Sequence, residues 1–156
     1  MKILRYTLLL LLCYSCAQAT DYQISGLDDL TVNEIISPID TGAIYQANNS
    51  VCVYSDNPQQ TTYQVTIQPT NGSSQFNVSN RYHTIPIDIY WNNKSTAGGV
   101  LMPVNAPKAF SGASNTDLCG HIDNANLQFR LHGDKLNNAT GGLYQGSFMV
   151  IIGAVG

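Results

Sequence analysis

Gly141-Gly142-Leu143-Tyr144-Gln145-Gly146-Ser147-Phe148-Met149-Val150-Ile151-Ile152-Gly153-Ala154-Val155-Gly156 is the stretch on which the fold turns. Two glycines open it and an uncharged apolar run closes it. At period two, Tyr144, Phe148, Val150 and Ile152 share one face, with Gly146 between the first two. Leu143, Met149, Ile151 and Val155 share the other. A short run that is apolar on both faces and bounded by turn residues predicts a central strand buried on both sides. Period alone leaves a helix open, but the glycines and the β-branched and aromatic content argue against one. A central strand needs two neighbours, and the sequence ends at Gly156. The expectation is that an earlier segment, or another molecule, flanks this strand.

Working outward, the N-terminus carries a different signal. Lys2 and Arg5 precede a leucine-rich run from Thr7 to Leu12, and Ala17-Gln18-Ala19 places small residues where a signal peptidase cuts. Residues 1–19 are therefore expected to be a secretory signal peptide, too short in its apolar part to span a bilayer, and 20–156 to form one domain. Cys16 raises a lipoprotein alternative, for which Cys13-Tyr14-Ser15 is a poor lipobox. Export leaves Cys52 and Cys119, an even pair in an oxidising compartment, so one disulfide is expected. Without Lys2 and Arg5, five basic residues face ten acidic ones, a net charge near −5. There is no basic cluster, which argues against a nucleic-acid partner. No later segment is long and apolar enough to be transmembrane.

Between the ends, turn signals separate short alternating runs. Tyr22 to Val32 predicts a first strand kinked at Gly26 and Asp28-Asp29, or two short ones, and Ser37-Pro38-Ile39-Asp40-Thr41-Gly42 predicts a turn. Ala43–Tyr45 and Val51–Tyr54 form one strand interrupted at Asn48-Asn49-Ser50, or two. Tyr63–Ile67 alternates cleanly, and Asn71-Gly72 predicts a hairpin from which Phe76–Val78 pairs back. Ile85–Trp91 alternates again, with Pro86 on its polar face marking an edge at its start. Residues 94–118, rich in Gly, Pro, Ala, Asn and Ser, suggest a long loop with a short strand, the kind of segment that carries binding surfaces. Leu127–His132 is the penultimate strand, and Asp134–Asn138 a helical turn. Many short strands and no amphipathic helix predict an all-β, Ig-like sandwich, its disulfide tying an early strand to the segment before the penultimate one.

Reactive groups are sparse. His83, His121 and His132 are far apart, and there is no serine elbow, phosphate-cradling loop or zinc signature, so neither enzyme activity nor a metal or cofactor is expected. Cys119 with His121 two residues on would make a thiol site only if something activated the sulfur, which oxidation silences. Asp28 and Asp29 are adjacent, so in a strand they point to opposite faces, and they suit a turn better than a shared site. Trp91 shares a face with Ile85, Ile87 and Ile89 and is expected in the core against the disulfide rather than stacked on a sugar. His132, on the polar face of its strand, is expected to be solvated. Asn48, Asn71, Asn77, Asn93 and Asn138 begin glycosylation sequons, without meaning in a bacterial protein.

Several of these runs, taken together, resemble the spore coat protein U domain. They are Gly26-Leu27-Asp28-Asp29-Leu30, Val51-Cys52-Val53-Tyr54-Ser55, Tyr63-Gln64-Val65-Thr66 and Ile85-Pro86-Ile87-Asp88-Ile89-Tyr90-Trp91, followed in order by Cys119, Asn124-Ala125-Asn126-Leu127 and Gly142-Leu143-Tyr144-Gln145-Gly146-Ser147-Phe148. That domain is shared by bacterial secreted proteins and pilins of archaic chaperone–usher systems. The resemblance implies an incomplete Ig-like sandwich lacking its last strand, completed by a periplasmic chaperone and usher pathway and then by other pilus subunits. It assigns Tyr144, Phe148, Val150 and Ile152 to the strand-acceptor groove. Two departures stand out. Only Tyr22 and Ile24 precede the Gly26 motif as possible donor anchors, and Cys52 and Cys119 do not join the first two strands. Both suit a tip or terminal subunit in the periplasm or on the cell surface that accepts a strand without donating one. The alternative is a self-contained secreted binding or coat module, completed by Tyr22–Val32, that never polymerises.

Overall fold

Alternating apolar residues become strands where the sequence supplies them. The computed structural model describes residues 21–30, 40–137 and 139–155, without the Asp117 side chain. In chain order the strands are β1 (Tyr22–Ser25), β2 (Ile44–Ser55), β3 (Thr62–Pro69), β4 (Asn77–Ser79), β5 (Thr84–Pro86), β6 (Asp88–Asn92), β7 (Val100–Leu101), β8 (Lys108–Ser111), β9 (Ala125–His132) and β10 (Phe148–Ala154). Short 3-10 turns at Asp117–His121 and Gly133–Leu136 flank β9. The signal peptide, the end of the first predicted strand, Ser37-Pro38-Ile39 and Asn138 lie outside the described residues.

The strands form a five-stranded sheet in the order β1-β2-β9-β6-β7, a three-stranded sheet β10-β3-β8, and a β4-β5 pair. All these pairings are antiparallel. The two larger sheets pack face to face across one core. β3 shows why: Tyr63, Val65 and Ile67 are buried while the residues between them face outward, the period-two signature of a half-buried strand. Opposite them stand Val51 and Val53 from β2, Ile89 and Trp91 from β6, and Leu127 and Leu131 from β9. Each fully buried Val or Ile contributes about 2 kcal/mol of apolar transfer. Trp91 has no exposed surface, and its Nε1–H donates to the Tyr63 hydroxyl at 3.2 Å. The all-β sandwich expected from the sequence is thus what the chain forms.

Cys52 and Cys119 are bonded, with Cα atoms 5.9 Å apart. Cys52 lies between Val51 and Val53 on β2, so the bond sits on the face away from the core. Trp91 packs against Tyr63 and Phe110 instead of against the disulfide. Cys119 reaches Cys52 from a left-handed turn, with φ of 49° at Leu118, 50° at Cys119, 60° at Gly120 and 68° at His121. Only glycine adopts that region freely.

Several expectations need correction. β2 runs unbroken through Asn48-Asn49-Ser50, because the amides find partners: Asn48 Oδ1 accepts from Gln128 Nε2 at 3.1 Å, and Asn49 Oδ1 from the Asp28 amide at 3.4 Å. Asn71-Gly72 is a turn, with Gly72 N–H donating to Pro69 O at 3.2 Å, but β4 pairs with β5 and not back onto β3. Both sides of β3 are already taken by β10 and β8. Ile85, Ile87, Ile89 and Trp91 are all buried as the alternation predicts, yet the run splits: β5 pairs with β4, and β6 with β9 and β7. Pro86, which has no N–H, stands at the break. Residues 94–118 are not a free loop, since they supply β7 to one sheet and β8 to the other. Gly99 permits the return to β6, at φ 103° and so close that an added Cβ would lie 2.2 Å from Trp91 O.

The largest correction concerns β10. It is not central. Among the described residues it pairs with β3 alone, on the edge of the three-stranded sheet.

Candidate strand-acceptor edge

β10 is built from the period-two pattern at the end of the sequence, and its two faces meet different surroundings. Phe148, Val150 and Ile152 are half-buried against the core, whereas Met149 and Ile151 are exposed. Phe148 packs edge-on to Phe76 at 5.8 Å and to Phe129 at 5.5 Å between ring centroids, joining β10 to β9 of the other sheet and to the segment before β4. Register with β3 runs from Phe148 opposite Pro69 to Ala154 opposite Tyr63.

Tyr144 lies outside the strand. Its hydroxyl donates to Thr140 O at 3.0 Å, and its ring is half-buried against the same core. Between Tyr144 and Phe148 the chain is tied to its neighbours. Gln145 exchanges backbone bonds with Ser79 on β4 (2.8 and 2.9 Å), and Ser147 O accepts from the Thr70 amide at 3.0 Å. Gly146 passes so close to β4 that an added Cβ would lie 2.5 Å from Asn77 O. The structure therefore sets Phe148, Val150 and Ile152 in one row and leaves Tyr144 before it, attached to the same core.

The second wall comes from the other sheet. β1 is the edge strand of the five-stranded sheet, paired with β2 from Tyr22 opposite Ser55 to Ser25 opposite Cys52. It lies against β10, but the two belong to different sheets. Tyr22 and Ile24 are half-buried on the shared core. The Tyr22 hydroxyl crosses to the other sheet and donates to Thr62 O at 2.6 Å, next to the residue that pairs with Ala154. Burial raises the Tyr22 pKa above 10.0, aided by the nearby Asp56 charge and opposed by a hydrogen bond with Ser55. The result is a seam with a strand edge on each side that is unpaired among the described residues, and half-buried apolar residues at its floor. A backbone edge of this kind bonds another extended segment; because β1 lies against β10 with no strand-wide space between them, such a segment takes the place β1 holds here.

Elsewhere the structure disperses the residues that could have carried chemistry. Cys119 is oxidised and His121 exposed. Asp28 and Asp29 are exposed beyond β1, at a kink where Gly26 has φ 79°. His132 is not simply solvated: its Nε2 lies 3.0 Å from Asp88 Oδ2. No group of three or more His, Cys, Asp or Glu is placed to hold a metal, and no helix is long and apolar enough to cross a membrane, among the described residues. The alternative in which Tyr22–Val32 completes the sandwich brought this segment to the seam, but not its pairing with β2 in place of β10. The segment's only signal was the Tyr22/Ile24 alternation, which says nothing about which sheet edge lies across from it.

No family model and no curated protein matches the chain. Among solved structures it is similar to a chain of a chaperone–tip adhesin complex of CFA/I fimbriae biogenesis, with 10% sequence identity and a TM-score of 0.57. The likeness covers 86% of this chain and 43% of that one, so this chain spans less than half of its neighbour's length. At such low identity the shared property is the fold. The resemblance to the spore coat protein U domain rests on its motifs alone.

Proposed function

We propose that this chain is a non-enzymatic subunit of pilus or fimbrial type, exported to the periplasm or cell surface, which accepts a strand from another molecule beside β10, in the place β1 holds here. The observation that carries the proposal is that, among the described residues, β10 pairs on one side only, over a half-buried apolar row of Phe148, Val150 and Ile152, with the edge strand β1 of the other sheet packed against it and not bonded to it. The fold shared with a fimbrial chaperone–adhesin structure and the motif resemblance point the same way. On this reading a periplasmic chaperone supplies the strand first and a neighbouring subunit later. Tyr144 closes the seam before β10 and does not line the inserted strand. Residues 94–118, built into both sheets, are a poorer contact surface than a free loop would be, which weakens the rival reading of a self-contained binding module.

The test is to isolate the chain from Thr20 onward from an oxidising compartment and follow its oligomeric state and thermal unfolding with and without an extended peptide of alternating apolar residues. The proposal expects an aggregating or loosely folded chain that becomes monomeric and more heat-stable with peptide. A stable monomer indifferent to peptide contradicts it and leaves the self-completed module.

A further inference from the structure

The outer face of the five-stranded sheet, away from the strand seam, carries an ordered side-chain network. On β9, Leu127, Phe129 and Leu131 face the core, so Gln128 and Arg130 face outward. Gln128 nevertheless has no exposed surface, because its neighbours cover it. Arg130 Nε donates to Gln128 Oε1 at 2.9 Å, while Gln128 Nε2 donates to Gln46 Oε1 and Asn48 Oδ1, each at 3.1 Å. A guanidinium can only donate, so the direction of every bond in the chain is set by Arg130. Gln128 must turn its oxygen to Arg130 and its nitrogen to β2. Gln46 and Asn48 must then turn their oxygens inward, leaving their NH2 groups outward. Both of these side chains are exposed.

Arg130 is held just as firmly. Its guanidinium carbon sits 4.1 Å from the centroid of the Tyr90 ring. Asp88 stands directly across from it in register, yet the Asp88 carboxylate goes to His132 Nε2 at 3.0 Å, and no ion pair to Arg130 forms among the described residues. The terminal nitrogens of Arg130 likewise find no hydrogen-bond partner there. The face thus presents an unneutralised guanidinium beside two outward amide NH2 groups.

We infer that this face binds an acidic saccharide, with the sugar carboxylate on Arg130, its hydroxyls on the amides of Gln46 and Asn48, and its C–H face against the edge of Tyr90. A guanidinium matches a carboxylate with two parallel bonds, and a network fixed on strands is preorganised for it. A sugar acid combines a carboxylate, hydroxyl rows and an apolar C–H face in one ring, the groups that Arg130, the two amides and Tyr90 recognise. The inference is independent of strand complementation, which uses the backbone edges of β1 and β10 and not this outer face.

The experiment titrates the full chain, in the assembly state in which it is isolated, with glucuronic acid, its neutral methyl ester and acetate, reading side-chain NMR signals of Arg130, Gln46 and Asn48. Glucuronic acid is expected to shift these signals and to bind at least about tenfold more tightly than the ester or acetate, the difference made by one charge-assisted contact or by the loss of the sugar ring. Asn48→Asp keeps an inward oxygen for Gln128 but turns an anionic oxygen outward. It should weaken glucuronic acid binding by about tenfold or more with circular dichroism unchanged. Gln46→Glu gives a second variant of the same logic if Asn48→Asp misfolds. Equal binding of acid and ester, acetate binding as tightly as glucuronic acid, or full binding by the folded Asn48→Asp and Gln46→Glu variants would each overturn the inference.

Discussion

At the scale of single residues, Tyr63 links core packing to pH. Burial raises its hydroxyl above the ordinary 10.0, against the bond from Trp91, which favours the phenolate. The unfolded chain ionises this tyrosine first, so the stability the group contributes is intact below about pH 10 and falls as pH rises through the higher folded value. Thermal unfolding measured from pH 8 to 11 should show that decline, and Tyr63→Phe should flatten it. The same variant should lower stability at pH 7 by about 2 kcal/mol, because Trp91 Nε1–H is left buried without an acceptor. The disulfide works through the unfolded chain. With its cysteines 67 positions apart in sequence, the loop-closure argument gives about 4 kcal/mol. Cys52→Ser with Cys119→Ser should lower the unfolding free energy in urea by about that much, and free the left-handed turn at Leu118–His121. The cysteine pair was legible from export and parity. The turn was not, because Leu118 and Cys119 carry no preference for positive φ.

For the strands, legibility followed period. β3, β6 and β9 were readable because one face of each packs on the core and the apolar residues mark it. The neighbours of a strand leave no such mark. β10 has apolar residues on both faces, which predicts burial on both, yet Met149 and Ile151 face outward while Phe148, Val150 and Ile152 face the core. Polar faces were read as solvated, so neither the Arg130–Gln128 network nor the His132–Asp88 pair was anticipated. The two faces of β10 should respond differently to charge. Ile151→Lys is expected to change the unfolding free energy by no more than about 0.5 kcal/mol, and Ile152→Lys to lower it by about 3 kcal/mol. Equal effects in denaturant titrations would mean that both faces are covered. Gly146→Ala places a methyl group against the β4 backbone and should cost about 2 kcal/mol, detectable as a lowered Tm.

For the molecule as a whole, the sandwich is held by aromatic contacts that cross between sheets, Tyr63 with Trp91 and Phe148 with Phe129. These fix the sheets face to face but leave β1 and β10 side by side without shared hydrogen bonds. The all-β class could be read from the pattern of strands and turns. The seam could not, because it depends on which strands end up at the edges of two sheets. The most direct test of the account is residue-resolved amide hydrogen exchange along β10. Alternate amides bonded to β3 should be protected in the isolated chain, while those facing the seam exchange freely. A bound extended peptide should slow the latter by at least about a hundredfold, the protection expected of a formed ladder bond in a stable region. Seam-facing amides already protected in the isolated chain, or unaffected by any such peptide, would contradict the claim that this edge accepts a strand.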